Sequence, residues 1–309
     1  MVSWCRRWLP VFVCAIAAAA QGAQQGDKAS PLTGPIELLW PPSRYPNGAP
    51  LAIGAEPEDR PNLSLYLAPG DGPHPAILVC PGGGYGALAR GHEGHAIGEF
   101  CQRHGISAFV LTYRIAPRYR HPAPLLDAQR AMRTIRARAA EWQVDPARIG
   151  VLGFSAGGHL ASTLATWFDA GSTDAEDPIE RVGCRPDFAV LVYPVIAFDQ
   201  PWTHQGSKRN LLGDRVGDAA LVAKLSTASA VTAQTPPCFL LHTGGDTVVP
   251  AENSIDFYLA LRRVKVPAEM HVFEKGQHGF GLGGKDPALS AWPELLLTWL
   301  RGRGVLTAK

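Results

Sequence analysis

The sequence predicts an α/β protein built on one mainly parallel sheet of eight strands, with helices covering both faces. Residues 76–80 form a continuous apolar run, which is typical of a strand buried on both faces of a parallel sheet. From there to the C-terminus, strand-like and helix-like patterns alternate. The 309 residues contain no internal repeat and no second-domain linker, so one large domain over 61–309 is expected.

The strand and helix patterns follow one another in a regular order. The first predicted strand covers 36–40, and residues 21–60 as a whole read as a leader and N-terminal strand region with a proline-rich stretch. The other strands are predicted at 62–68 (half-buried by its alternation), 76–80, 106–112, the apolar segment before Gly153, 188–193, 238–242 and 268–273. Helices are predicted at 91–104, 123–142, from Ser155 to about 170, 218–225, 251–263 and 287–301.

Residues 1–20 have the pattern of a cleaved signal peptide. Arg6 and Arg7 precede a mostly apolar run over 8–20, and small residues end the run. The run is shorter than the roughly 20 residues that span a bilayer, so no stable membrane anchor is expected. The sequence therefore predicts export to the periplasm or the extracellular space.

The charge pattern argues against nucleic acid as a partner. The formal net charge is +2, and loss of Arg6 and Arg7 with the signal segment brings it to 0, because that segment contains no acidic residue. The one group of basic residues is spaced along the predicted helix 123–142 and is interpreted as its solvated face: Arg130, Arg133, Arg136 and Arg138.

Residues 196–235 interrupt the alternation of strands and helices. An insertion that follows a strand of a parallel sheet lies at the carboxyl edge of the sheet, where ligands bind. We therefore expect a small cap or a wall of a substrate pocket. A surface loop without a role is the alternative.

The segment around Ser155 is the strongest chemical signal. Gly153, Phe154, Ser155, Ala156 and Gly157 form a G-x-S-x-G pattern between an apolar strand and an alanine-rich helix. In a nucleophile elbow, a strained turn exposes the serine, and small neighbours allow other backbone to approach. The context favours Ser155 as a nucleophile over a simple glycine-rich turn.

A serine nucleophile needs a base, and the base needs an acid to orient it. Of the ten histidines, His278 lies in the loop directly after the last predicted strand, which is the position of a base in the order serine, acid, histidine. Asp246 lies in the loop after the preceding strand and is the predicted acid, although a helix-capping role fits it too. Asp199, one strand earlier, is the rival acid.

The tetrahedral intermediate also needs N–H donors for its oxyanion. Residues 81–85 read Pro-Gly-Gly-Gly-Tyr and directly follow a buried strand. Glycines there allow backbone amides to face a substrate without crowding it. Gly83 and Gly84 are the predicted donors together with the amide of Ala156, and Gly82 is an alternative. A phosphate-binding loop is disfavoured because the G-x-G-x-x-G spacing and the Walker lysine are missing.

Three aromatic residues near these segments are predicted to line the substrate pocket: Tyr85, His159 and Trp202. His92, Glu93 and His95, with His121, give a weak metal pattern, because H-E-x-H is not the spacing that places two histidines on one helical face. A solvated or pocket-edge position is preferred, and neither a metal nor a cofactor is predicted. A disulfide between Cys184 and Cys238 is left open.

Together these motifs resemble the α/β-hydrolase serine esterases over about residues 60–303. More narrowly, the chain is similar to the exported acetylxylan esterase-like, xylanase-B-related carbohydrate esterases. The residues that carry the resemblance are 81–85, 92–94, Tyr113-Arg114, 121–127, 153–158 and 277–280. Pro81 stands where related lipases and esterases have histidine, which argues against a simple acyl-chain lipase.

The resemblance implies hydrolysis of acetyl, or alternatively feruloyl, esters on plant polysaccharide or oligosaccharide without a cofactor. A general short-chain carboxylesterase is a further alternative. A serine peptidase of the same fold and a catalytically silent carbohydrate-binding protein remain as more distant alternatives. The residue chemistry alone extends only to transfer of an acyl group to water.

Overall fold

The computed structural model describes residue 1 and residues 35–40 and 51–307. Within these ranges one eight-stranded sheet has the order β1-β2-β4-β3-β5-β6-β7-β8. The predicted signal segment, most of the leader and part of the proline-rich stretch lie outside the described residues. The strands are β1 (Ile36–Leu38), β2 (Asn62–Tyr66), β3 (His74–Cys80), β4 (Ser107–Thr112), β5 (Val144–Phe154), β6 (Ala189–Val192), β7 (Cys238–Thr243) and β8 (Ala268–Phe273).

The sheet is parallel from β4 to β8, and only β1 and β2 are antiparallel to their neighbours. The carboxyl ends of the parallel strands are therefore in register: Cys80 pairs with Gly153, and Thr243 pairs with Phe273. The loops that leave these ends meet at one edge of the sheet, where ligands bind in open α/β sheets.

Helices cover the sheet on both faces, as predicted. One buried apolar cluster includes side chains of α2, α3, α6 and the insertion, and a second includes side chains of α1 and α7. The helices are α1 (Ala96–Arg103), α2 (Ala123–Ala137), α3 (Ser155–Thr166), α4 (Gln205–Leu212), α5 (Ala219–Lys224), α6 (Glu252–Arg263) and α7 (Trp292–Gly302). Among the described residues, no helix has the length and apolar character that crossing a membrane requires.

The prediction that Arg130, Arg133, Arg136 and Arg138 form the solvated face of a helix is wrong. Arg130 and Arg133 are 2% and 7% exposed. The Arg130 guanidinium donates to the Leu39 carbonyl at 2.8 Å and pairs with Asp177 and Glu180 at 2.8 and 2.7 Å. Acidic residues far away in sequence neutralise this face of the helix, and a helical period alone does not reveal such partners.

Two local predictions also need correction, and the disulfide that the sequence left open is absent. The prediction of a half-buried strand at 62–68 is wrong, because the strand has Ser64 fully buried and Tyr66 packed under α1. Helix α2 ends at Ala137 instead of residue 142. Cys184 and Cys238 are both free and buried, so the structure contains no disulfide between them.

Candidate active site

The turn between β5 and α3 places Ser155 at the carboxyl edge of the sheet. Ser155 has a φ of +52°, a left-handed conformation that is costly for a residue with a side chain. Small neighbours make the turn feasible. A Cβ on Gly157 would lie 2.1 Å from the Cys80 carbonyl oxygen, and one on Gly153 would lie 2.1 Å from the Gly157 oxygen. The G-x-S-x-G spacing is thus a steric requirement of this turn.

The three residues predicted to form a triad lie in one hydrogen-bonded chain. His278 Nε2 is 2.7 Å from Ser155 Oγ, and His278 Nδ1 is 2.6 Å from Asp246 Oδ2. The other carboxylate oxygen of Asp246 accepts the backbone N–H groups of Val248 and Val249, both at 2.9 Å. The Asp246 side chain is therefore fixed by its own loop, and it holds the imidazole toward the serine.

Asp246 is ionised in this setting. Burial raises the pKa of its carboxyl group, but hydrogen bonds from His242 and His278 outweigh burial and hold that pKa well below its ordinary value. His242 Nε2 lies 3.5 Å from Asp246 Oδ2 and 2.8 Å from the Val249 carbonyl oxygen. The rival acid, Asp199, is exposed and interacts with Gln200 instead of His278.

Tyr193 contacts both the His278 ring and the loop that carries it. Its ring packs edge-on against the His278 ring with centroids 4.9 Å apart, and against Phe280 at 4.6 Å. The Tyr193 hydroxyl accepts the Gly281 N–H at 3.0 Å and donates to Glu93 at 2.9 Å. Tyr193 was not predicted as a site residue and only ended a predicted strand, whereas Glu93 was part of the weak metal pattern and of the resemblance to the esterases.

The glycine loop after β3 lies beside the serine turn. Gly83 and Gly84 adopt φ values of +123° and +64°. Their N–H groups have no hydrogen-bond partner within the part of the chain that the structure describes. The Gly82 N–H donates to Glu93 at 2.8 Å, so the alternative of Gly82 as an oxyanion donor is wrong. Ala156 is in the first turn of α3, where helix N–H groups lack intrahelical partners.

The insertion contributes a polar wall next to this loop. Asn210 Nδ2 donates to the Gly84 carbonyl at 2.8 Å. His204 Cε1 lies 3.9 Å from the point where a Cβ on Gly84 would be, and Ser207 Oγ lies 4.0 Å from it. Burial and the nearby His278 lower the pKa of His204, so its ring is neutral near pH 7. Neither His204 nor Asn210 was singled out from the sequence.

Two of the three predicted pocket residues are core residues. Tyr85 and His159 are 1% and 0% exposed. The Tyr85 hydroxyl binds His159 Nδ1 at 2.8 Å, and His159 Nε2 binds the Leu225 carbonyl at 2.8 Å. The prediction that they line a pocket is therefore wrong for both, because each polar atom already has a buried protein partner. Trp202 is partly exposed, and its pocket role stays a prediction.

The residues of the weak metal pattern have separate protein partners. His95 binds the Tyr66 hydroxyl at 2.7 Å, and His121 packs edge-on against Trp167. Glu93 is buried and faces Gly82 and Tyr193. Across the ranges given above for the structure, no group of three or more His, Cys, Asp or Glu residues is arranged to hold a metal ion.

Fold and site together define the class of protein. A strained serine at a strand-to-helix turn, a histidine after the last strand and an acid after the strand before it are the arrangement of α/β-hydrolases. The chain belongs to the BD-FAE family, an α/β-hydrolase esterase group, whose family model matches residues 63–261.

Two curated relatives are xylan-related proteins. The chain is 40% identical over 236 residues to endo-1,4-beta-xylanase B of Butyrivibrio fibrisolvens, covering 75% of this chain and 36% of that protein. It is 36% identical over 211 residues to an acetylxylan esterase of Xylanibacter ruminicola, covering 67% of this chain and 41% of that protein. The chain thus spans less than half the length of these relatives.

Solved structures agree on the fold. An acetyl ester-xyloside bifunctional hydrolase from Caldicellulosiruptor lactoaceticus is 45% identical with a TM-score of 0.84, over 88% of this chain and 97% of that chain. A carboxylesterase from Lactobacillus plantarum is 25% identical with a TM-score of 0.67, over 81% of this chain and 95% of that chain. The similarity to the first extends over nearly its whole length.

Proposed function

We propose that this chain is a serine carboxylic-ester hydrolase that removes acetyl groups from plant polysaccharide or oligosaccharide. The observation that carries the proposal is the proton path from Ser155 Oγ to His278 (2.7 Å) and on to Asp246 (2.6 Å). The carbohydrate side of the proposal is supported by relatives named acetylxylan esterase, xylanase B and acetyl ester-xyloside hydrolase.

The first half of the proposed reaction forms an acyl-enzyme. His278 Nε2 takes the hydroxyl proton of Ser155 while Oγ attacks the ester carbonyl. Asp246 stabilises the resulting imidazolium. The oxyanion is held by the amides of Gly83, Gly84 and Ala156, and one such donor is worth about 3 kcal/mol. His278 then protonates the sugar oxygen, and the C–O bond to the alcohol breaks.

The second half regenerates the enzyme. A water molecule enters where the alcohol left, His278 removes one of its protons, and the hydroxide attacks the acyl carbon. The same amides hold the second oxyanion. Collapse of this intermediate returns the proton from His278 to Ser155 Oγ and releases acetate. In each half of the cycle His278 accepts one proton and then donates it, so this scheme uses no metal or cofactor.

Export is part of the proposal and is supported by the sequence pattern of residues 1–20. Expression of the full sequence in a bacterial host, followed by cell fractionation and N-terminal sequencing of the product, tests it. We expect a periplasmic or extracellular product that starts near residues 21–24. A cytoplasmic product with an intact N-terminus would contradict export and leave the esterase proposal untouched.

Substitution of the serine tests the reaction. For Ser155→Ala we expect p-nitrophenyl acetate turnover to fall by about 10⁴-fold or more, because the nucleophile is removed. Labelling by a fluorophosphonate probe should be lost, and the Tm should stay within a few degrees of wild type. The exposed Ser290→Ala is the matched control and should keep both properties. Turnover of the Ser155→Ala variant at the wild-type rate would overturn the assignment.

A substrate panel tests the specificity. Acetylated xylan, acetylated xylo-oligosaccharides, methyl ferulate, short and long p-nitrophenyl esters and dipeptide amides are compared by kcat/KM. We expect the acetylated xylo-oligosaccharides to give the highest value. A preference for methyl ferulate would replace acetyl by feruloyl, and equal rates on all short esters would indicate a general short-chain carboxylesterase.

A further inference from the structure

Glu93 is a buried carboxylate at the active site that the proposed reaction does not use. Its side chain is 3% exposed, each of its oxygens accepts one hydrogen bond, and His92 Nε2 lies 3.6 Å from Oε1. Oε2 accepts the Gly82 N–H at 2.8 Å, and Oε1 accepts the Tyr193 hydroxyl at 2.9 Å. Burial raises the pKa of Glu93. A carboxylate in such a place is costly, and buried charges are weak sources of stability.

The two donors connect Glu93 to the two loops on which the chemistry depends: Gly82 lies in the loop after β3, and Tyr193 follows β6 and binds the histidine loop. Gly82 directly precedes the proposed oxyanion donors, and its carbonyl accepts the Ala89 N–H at 2.9 Å. Tyr193 packs against the His278 ring, and its hydroxyl accepts the Gly281 N–H of the histidine loop at 3.0 Å. A continuous chain of hydrogen bonds therefore runs from Gly82 through Glu93 and Tyr193 to Gly281.

We propose that Glu93 is a positioning residue that sets the distance between the oxyanion loop and the histidine loop. The inference rests on the proposed serine esterase function and deepens it. Glu93 acts through Gly82 and Tyr193 and makes no contact with the reacting atoms in this scheme. Its two oxygens, each with its own donor, hold the loops at a fixed separation.

The packing around Gly82 leaves the loop little freedom. A Cβ on Gly82 would lie 2.6 Å from Glu93 Oε2 and 2.9 Å from Ser155 Cβ. The loop backbone is thus in contact with both the carboxylate and the nucleophile. A shift of the carboxylate moves Gly82, and the amides of Gly83 and Gly84 move with it. Misplacement of a catalytic group by about 1 Å can cost 10²-fold in rate.

A carboxylate fits this position better than an amide does. Both donors, the Gly82 N–H and the Tyr193 O–H, need an acceptor, and a carboxylate offers one to each. The side-chain amide of an E93Q variant has one acceptor oxygen, so one of the donors faces an NH₂ group. The variant is nearly isosteric, and it removes one acceptor without opening a cavity.

The experiment compares Glu93→Gln, Tyr193→Phe and the control Glu99→Ala. Glu99 is an exposed carboxylate on α1 that pairs with His95 at 3.2 Å. Kinetics with p-nitrophenyl acetate are combined with binding of a trifluoromethyl ketone, whose adduct with serine places an oxyanion in the site. The Tm of each variant is recorded.

For E93Q we expect kcat to fall by about 10- to 100-fold with KM within twofold of wild type. Affinity for the ketone should fall by a similar factor, and the Tm should change by a few degrees at most. Tyr193→Phe should lose about tenfold, because it removes one of the two links and leaves Gly82 bound. Glu99→Ala should match wild type in every measurement.

Wild-type kcat and ketone affinity in both E93Q and Tyr193→Phe would overturn the inference. A fall in Tm with unchanged ketone affinity would also overturn it, because Glu93 would then serve stability alone. If E93Q fails to fold, Tyr193→Phe decides between these outcomes. Each of these results is independent of the Ser155→Ala test, which addresses the esterase proposal itself.

Discussion

The loops at the sheet edge and the insertion 196–235 position their residues in different ways. Ser155, Asp246 and His278 each lie within a few residues of the end of a parallel strand, so the register of the sheet brings them together. The insertion lies outside the strand register and is held by side-chain contacts and by the His121 N–H, which donates to the Leu211 carbonyl at 2.9 Å. His159 binds the Leu225 carbonyl at 2.8 Å, and Asn210 binds the Gly84 carbonyl at 2.8 Å.

This difference in attachment indicates that the reaction depends on the loops at the sheet edge and the choice of substrate on the insertion. Strand ends are rigid and recur in a fixed order, so they suit the groups that must hold a proton path within a few tenths of an ångström. The insertion lies outside the strand register, so the pairing of the strands does not fix its shape. Changes at the sheet edge should therefore reduce kcat, and changes in the insertion should alter KM and the choice of substrate.

The largest expected effect is at the acid. For Asp246→Asn we expect kcat to fall by about 10⁴-fold at an unchanged Tm, because the amide no longer stabilises the imidazolium and favours the wrong tautomer. Stopped-flow or steady-state kinetics with p-nitrophenyl acetate measure the loss. Asp199→Asn changes the exposed rival acid and should keep the wild-type rate. A large loss for Asp199→Asn with none for Asp246→Asn would instead identify Asp199, in the segment after β6, as the acid.

The next effect concerns pH and the attachment of the insertion. Burial lowers the pKa of His159 from its ordinary value of 6.5 to about 4. Between pH 6.5 and pH 4 the His159 imidazole is protonated in the unfolded chain and neutral in the folded chain. The free energy of unfolding therefore falls as the pH falls toward 4. A shift of this size corresponds to a loss on the order of 3 kcal/mol.

Urea denaturation at pH 7 and pH 4.5 measures this loss. Wild type should be markedly less stable at the lower pH. His159→Gln removes the titrating ring, so it should be less stable at pH 7 and show a smaller pH dependence. His121, whose pKa is also lowered to about 4 by burial, Arg215 and Lys224, keeps part of the slope. An identical slope in the variant and wild type would contradict the role of His159.

The smallest effect is expected in the polar wall of the insertion. His204 Nδ1 accepts the Ser207 N–H at 3.3 Å, so the neutral ring carries its proton on Nε2, and we expect this N–H to donate to a substrate oxygen. For His204→Ala we expect KM for acetylated xylo-oligosaccharides to rise about tenfold, the equivalent of one hydrogen bond of about 1.4 kcal/mol. KM for p-nitrophenyl acetate should stay within twofold.

The adjacent Gln205→Ala is the control for this prediction, because Gln205 is exposed on the same helix and should leave both KM values unchanged. Equal losses on the small ester and the oligosaccharide would show that His204 acts on the reaction itself. In that case the separation between the sheet edge and the insertion would fail.

Sequence patterns predicted all eight strands and the order of the triad residues, since both follow from local rules. A continuous apolar run predicts a buried strand, and the G-x-S-x-G spacing satisfies the contacts at Gly153 and Gly157 that the turn imposes. Helix ends were less accurate, as at α2, because the last turn depends on tertiary contacts.

Long-range partners were beyond the reach of the sequence. Arg130 is spaced like a solvated residue, yet it is buried by carboxylates about 50 residues away. Tyr85 and His159 are of residue types that often line pockets, yet they bind each other in the core. Glu93 resembled part of a metal pattern, and only the approach of Gly82 and Tyr193 gives it a different role.

Local patterns in the sequence were sufficient to predict the α/β class, the serine turn and the loops that carry the predicted base and acid. Each of these depends on residues that are neighbours along the chain or follow a buried strand. The tertiary structure decided which polar groups face one another: the separation of the two catalytic loops at Glu93 and the wall formed by His204 and Asn210. These depend on distances between segments about 90 to 130 residues apart, and no local pattern encodes such distances.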